Sequence, residues 1–132
     1  MKVLFVCSGN AYRSPVAEAL LKKLSPTVEA DSAGTDPAIP ISEVAKKYLK
    51  GEAALRYLKR APEDLRRKNL ISYDLIVAMK PRHKTVVLAE CPECAERIVV
   101  WNIDDPYFLP HGHTTRIFDQ IKMKVLELTA SL

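Results

Sequence analysis

Apolar positions arrive along the chain in two rhythms. Residues 1–6, MKVLFV, are apolar on successive positions apart from Lys2, as in a strand buried on both faces. SPVAEALLKKL (14–24) switches to helical spacing, with Val16, Leu20 and Leu24 on one face and Ala19 and Leu21 beside them. Ser14 reads as its N-cap and Pro15 as its first helical residue. TVEADSAGT (27–35) is a short second strand ending in a Gly-containing loop, and DPAIP (36–40) is a loop with two prolines. Helical spacing returns from Ile41 to about Lys59 but breaks at Gly51, which fits one kinked helix or two short ones. PEDLRRK (62–68) is one more helical turn. YDLIVAM (73–79) is a buried strand, PRHKTVVL (81–88) a helix opened by Pro81, and ERIVVW (96–101) a fourth strand. The loop NIDDPYFLPHGH (102–113) leads to the helix TTRIFDQIKMKVLELT (114–129), striped by Ile117, Ile121, Val125 and Leu128.

Strands alternating with helices predict an α/β fold, a doubly wound parallel sheet with helices on both faces and right-handed crossovers. The expected sheet has four strands in flavodoxin-like order 2-1-3-4. A chain of 132 residues suits a single domain over residues 1–132, large enough to bury roughly two-thirds of its unfolded surface without a disulfide or metal.

Composition narrows the function classes. No apolar run approaches the ~20 residues of a membrane helix, and the first strand begins at once after Lys2, so the expectation is a cytoplasmic protein with no membrane partner. A net charge of +4, with the basic residues spread along the chain, suits an anionic substrate better than nucleic acid. The basic stretch KRAPEDLRRK (59–68) reads as a solvated helical surface. Three cysteines do not form a disulfide framework.

The chemistry concentrates where the first strand ends, in CSGNAYRSP (7–15). In doubly wound folds, ligands sit beyond the carboxyl ends of the strands, and Cys7 stands at such an end. The loop Ser8, Gly9, Asn10, Ala11, Tyr12, Arg13 leads into a helix, so its N–H groups and the helix N-terminus can line an anion cradle. Gly9 and Asn10 are residue types that tolerate a left-handed backbone. Arg13 adds a planar fork matched to two phosphoryl oxygens. A sulfur at the base of such a cradle is favoured as the thiolate, and Ser14 is placed to donate to it.

The strand followed by C-x5-R-S-P resembles the signature of the low-molecular-weight protein tyrosine phosphatases, commonly CxGNxCRSP. The resemblance continues through SAGT (32–35), YDLIVAM and DPY (105–107), in order along nearly the whole chain. It implies Cys7 as nucleophile, Arg13 as phosphate clamp, Asn10 as loop-shaping residue, Ser14 as thiolate partner and no cofactor or metal. The implied substrate is a phosphotyrosine protein or a small aryl phosphate. Asp104 and Asp105 both follow the fourth strand within reach of the site, and the family pattern selects Asp105, before Pro106, as general acid. Tyr12, Trp101, Tyr107 and Phe108 are the aromatic residues available to flank a phenyl ring.

Three positions depart from the family pattern. Tyr12 replaces a second cysteine that protects the nucleophile in many members. DPAIP lacks an aromatic that often lines the cleft. Lys80 follows Met79 where an acidic residue is common. CPEC (91–94) raises a rival, because thioredoxin-coupled arsenate reductases resemble this family in fold and loop and pass a disulfide to further cysteines. Cys91 and Cys94 would then be a redox pair served by a thioredoxin-like reductant. The other readings are a local disulfide, inert cysteines, or half a zinc site completed from His83, His111 and His113. A catalytically silent phosphate-binding module is a third class.

Overall fold

A computed structural model describes residues Met1–Leu132, with every side chain but that of His111. Four strands form one sheet: β1 (Lys2–Cys7), β2 (Glu29–Gly34), β3 (Leu75–Ala78) and β4 (Ile98–Val100). Their order is β2-β1-β3-β4, all parallel, the expected 2-1-3-4. Helices α1 (Arg13–Leu24), α2 (Glu43–Gly51), α3 (Pro81–Glu90) and α4 (Thr114–Ser131) make the crossovers and the C-terminal layer. The register pairs Cys7 with Gly34, Val6 with Ala78 and Ala78 with Val100, so the loops after β1, β2, β3 and β4 leave from one edge.

The period of two in β1 divides the core. Val3, Phe5 and Cys7 face the layer of α1, α2 and α4, where Val16, Leu20, Leu49, Phe118, Ile121 and Val125 pack. Leu4 and Val6 face α3, with Val87, Leu65, Leu70 and Tyr73. Trp101 belongs to the first of these layers, its ring centroid 5.4 Å from that of Phe5. No helix among the described residues is long and apolar enough to cross a membrane.

Three sequence expectations shift. Ser14 is not a cap: α1 begins at Arg13 with Tyr12 before it, and the Ser14 side chain is buried and turned toward Cys7. Leu24 ends α1 exposed, outside the stripe. The stretch from Ile41 to Lys59 resolves into α2, capped by Ser42 Oγ accepting from the Val44 and Ala45 amides, and a 3-10 turn at Leu55–Tyr57. The break follows Gly51, where Ala53 takes a left-handed φ of 56°.

Candidate active site

The loop after β1 is held from below before any ligand is considered. Asn10 adopts φ 54°, a left-handed conformation that asparagine accepts more readily than most residues, whereas Gly9 does not use that region. The buried Asn10 side chain explains why the turn persists. Its Nδ2 donates to Ser14 Oγ at 2.8 Å and to Ser32 Oγ at 2.9 Å, and its Oδ1 accepts from the Glu63 amide at 2.9 Å. Ser32 Oγ donates in turn to Glu18 Oε1, and Lys59 Nζ donates to the Ser32 carbonyl at 2.7 Å. Lys59, Glu18 and Lys22 share the charge, with Lys22 2.6 Å from Glu18. Every member of this buried network has a partner, which is what allows polar groups inside a core. Lys59 is thus not part of a solvated surface; its side chain is 7% exposed.

Gly34 supports the same loop through its lack of a side chain. A Cβ there would lie 2.6 Å from the Ser8 carbonyl oxygen and 3.0 Å from the Asn10 nitrogen. The Thr35 amide donates to the Cys7 carbonyl at 3.0 Å and the Asp36 amide to that of Ser8 at 2.8 Å. SAGT is therefore the floor beneath CSGN.

Cys7 is 2% exposed as a residue, and its sulfur lies 2.9 Å from Ser14 Oγ. Since that oxygen accepts from Asn10, its own hydrogen is free for the sulfur. Arg13, although the first residue of α1, is 1% exposed and runs under the loop after β4. Its Nη1 donates to the Ile103 carbonyl at 2.9 Å and its Nη2 lies 3.4 Å from Asp105 Oδ2. Burial draws the guanidinium below its ordinary pKa, while the Cys7 sulfur and the Asp105 carboxylate pull it back up. The other Asp105 oxygen accepts from the Tyr107 amide at 3.0 Å, because Asp105 caps the 3-10 turn Pro106–Phe108 with Pro106 at its first position. One carboxylate thus serves turn and site together. Asp104 turns the opposite way, to Lys80 Nζ at 2.7 Å, a contact that lowers the Asp104 pKa. Lys80 also reaches Asn102 Oδ1, so the residue that departs from the family pattern ties down the base of the Asp105 loop.

Cys7, Ser8, Gly9, Ala11, Tyr12, Arg13 and Asp105 border one cleft of about 290 Å³. Tyr107 and Phe108 form its outer wall, Tyr107 edge-on to Tyr12 with centroids 6.2 Å apart. Ala38 and Ile39 close the other side, with Asp36 at the rim, so the aromatic missing from DPAIP is offset by the opposite wall. Asn10 and Ser14 lie beneath the cleft. Trp101 is not in it; its place beyond β4 turns it onto Phe5 in the core.

Cys91 and Cys94 are paired as a disulfide and pack among Leu4, Val6 and Ile98, on the sheet face opposite Cys7. α3 leaves the site edge and runs ten residues back, so the pair lies at the far end, about 15 Å along the helix. That placement puts the pair on the face away from Cys7, and the bond between the two sulfurs matches the local disulfide among the readings above. The zinc set is not assembled. The two sulfurs bond each other, and among the described residues no three His, Cys, Asp or Glu side chains are grouped to hold a metal. His111 lies outside the described side chains.

His83, which sequence reasoning treated only as a stray zinc ligand, sits 1% exposed against the cradle, its Nε2 2.8 Å from Ser8 Oγ. Glu18, Ser32 and Lys59 were also missed. Glu18 was within reach, because a carboxylate four residues after Ser14 shares that residue's inward face.

Known proteins resemble this chain in sequence and fold. The chain is 31% identical over 121 residues to the low molecular weight protein-tyrosine-phosphatase Wzb of Escherichia coli, covering 80% of this chain and 77% of that one. It is 35% identical over 99 residues to a protein-arginine-phosphatase of Geobacillus stearothermophilus, covering 73% of this chain and 66% of that one. The crystal structure of a low molecular weight protein tyrosine phosphatase from T. tengcongensis superposes with TM-score 0.89 at 30% identity, over 100% of this chain and 99% of that chain. The family model for low molecular weight phosphotyrosine protein phosphatase matches residues 2–132, and the chain belongs to that family.

Proposed function

We propose that the protein hydrolyses phosphotyrosine, or a comparable aryl phosphate monoester, through a phosphocysteine. The observation that supports this is the shared cleft: Cys7, Arg13 and Asp105 border it together beneath an aromatic rim of Tyr12, Tyr107 and Phe108. In the first step the Cys7 thiolate attacks phosphorus, the bond to the phenolic oxygen breaks, and Asp105 gives that oxygen a proton. In the second, Asp105 takes a proton from water as the water attacks phosphorus. The S–P bond breaks, and inorganic phosphate leaves with the thiolate restored. Arg13 and the loop amides neutralise the transferring group, so no step calls for a metal. Ser14 steadies the thiolate between turnovers.

A second reading, hydrolysis of phosphoarginine, draws on Asp36 at the rim, a carboxylate suited to a substrate guanidinium, and on the Geobacillus relative. The rim supports the first reading more strongly, since two of its residues are exposed aromatics. The test compares hydrolysis of a phosphotyrosine peptide, p-nitrophenyl phosphate and a phosphoarginine peptide without added metal. Aryl phosphates should turn over at least tenfold faster, and Cys7→Ser should abolish turnover. Faster phosphoarginine hydrolysis would establish the second reading, and full activity of Cys7→Ser would refute both.

A further inference from the structure

His83 is a buried histidine that the mechanism above does not use. It is the third residue of α3, which starts where β3 ends, so its ring arrives under the loop after β1 from the neighbouring strand. Both ring nitrogens are engaged. The Lys80 backbone N–H lies 3.0 Å from Nδ1, and Ser8 Oγ lies 2.8 Å from Nε2. A backbone amide only donates, so Nδ1 is the acceptor and the ring proton sits on Nε2. Nε2–H therefore donates to Ser8 Oγ. With one lone pair taken, the Ser8 hydroxyl keeps its hydrogen for a different acceptor. Ser8 follows Cys7 directly and lines the cleft.

We propose that His83 is a positioning residue that turns the Ser8 hydroxyl into a donor aimed at a non-bridging phosphoryl oxygen, adding a side-chain hydrogen bond to the anion cradle. The proposal rests on the phosphatase reading for its kinetic consequence and on geometry alone for its effect on anion binding. The surroundings keep the ring in the required neutral form: burial, then Arg13, Arg82 and Lys80, push its pKa down to about 3. A second proton would go to Nδ1, facing the Lys80 amide, and break the arrangement.

Two substitutions separate the two halves of the ring. In His83→Asn the amide oxygen takes the place of Nδ1, keeping the Lys80 contact while losing the donor to Ser8. In His83→Gln the amide nitrogen takes the place of Nε2, keeping that donor while losing the Lys80 contact. kcat/KM for p-nitrophenyl phosphate should fall roughly tenfold in His83→Asn and in Ser8→Ala, less than the roughly 10²–10³-fold of a principal oxyanion donor because the loop amides and Arg13 remain. His83→Gln should stay within about threefold of wild type. The Ser8→Ala, His83→Asn double variant should be no worse than either alone, because the two act through one hydrogen bond. Inhibition by orthovanadate, which mimics the five-coordinate phosphorus, should weaken in parallel. A structural role alone would give the reverse order, His83→Gln worse than His83→Asn in melting temperature and rate together, and would overturn the proposal. So would additive losses in the double variant. Calorimetric binding of inorganic phosphate reads the same ranking without turnover, so an inactive wild type would sink the phosphatase reading while His83 is still judged.

Discussion

Arg13 Nη2 rests 3.4 Å from Asp105 Oδ2 while Nη1 holds the Ile103 carbonyl at 2.9 Å. One guanidinium therefore spans the two loops that meet over Cys7, the one after β1 and the one after β4. A lysine has a single point of charge and cannot serve both contacts along with a phosphoryl group. Arg13→Lys should lower kcat/KM for aryl phosphates by about 10²-fold or more, comparable to loss of a principal anion-stabilising group. Steady-state rates with p-nitrophenyl phosphate check this, and a loss under threefold would remove Arg13 from the clamp role.

The two neighbouring aspartates should behave differently. Asp105→Asn removes the transferable proton but keeps the cap on Tyr107. It should slow esters of poorly acidic phenols by roughly 10²–10⁴-fold and activated esters much less. Asp104→Asn breaks only the exposed contact with Lys80 and should stay within about threefold. A series of substituted phenyl phosphates distinguishes the outcomes, and matching losses for all leaving groups would move the acid elsewhere.

Asn10→Ala should lower stability by about 2–4 kcal/mol. It leaves Ser14, Ser32 and the Glu63 amide short of partners and puts a Cβ residue without a compensating side chain at φ 54°. Urea unfolding measures the loss. Turnover should fall as well, because Ser14 is then free to leave the sulfur.

Acid should destabilise the fold through His83. The folded ring stays neutral down to about pH 3, held there by burial and then by Arg13, Arg82 and Lys80. The unfolded histidine takes its proton near pH 6.5. Between those values the unfolded chain binds more protons, so stability rises with pH and falls on acidification from 6.5 towards 3. Chemical unfolding at a series of pH values should show that slope, and His83→Gln should flatten it.

The Cys91–Cys94 bridge closes a very short loop, for which chain entropy gives about 2 kcal/mol at most. Replacing both cysteines with serine should lower the melting temperature by several degrees and leave kcat and KM for aryl phosphates within about twofold. Loss of turnover in that variant would restore a link between the pair and Cys7.

Much of this was legible in the chain. After Lys2, β1 is apolar to its end, and β3 is apolar throughout, the pattern of strands covered on both faces, so the layered parallel sheet followed. Cys7 and Arg13 were legible because their spacing is local: six residues bridge the end of a strand and the start of a helix. Trp101 was not, since a residue just past β4 faces either the cleft or the core depending on one step of register. The support under Asn10 was hidden for a different reason. Ser32, Lys59 and Glu63 come from distant segments, and each alone has the composition of surface. His83 needed the knowledge that α3 brings its first turn against Ser8, a relationship between two crossovers rather than a pattern in either.

Gly34 carries a wider consequence. Because strand backbone touches loop backbone there with no side chain interposed, the curvature of the Cys7 turn is inherited from the sheet itself. The rim side chains Tyr107 and Phe108 stand in solvent and can be exchanged without touching that contact. The pocket floor has no such latitude, since a methyl at that contact would meet the Ser8 carbonyl oxygen at 2.6 Å and force the turn beside Cys7 to shift.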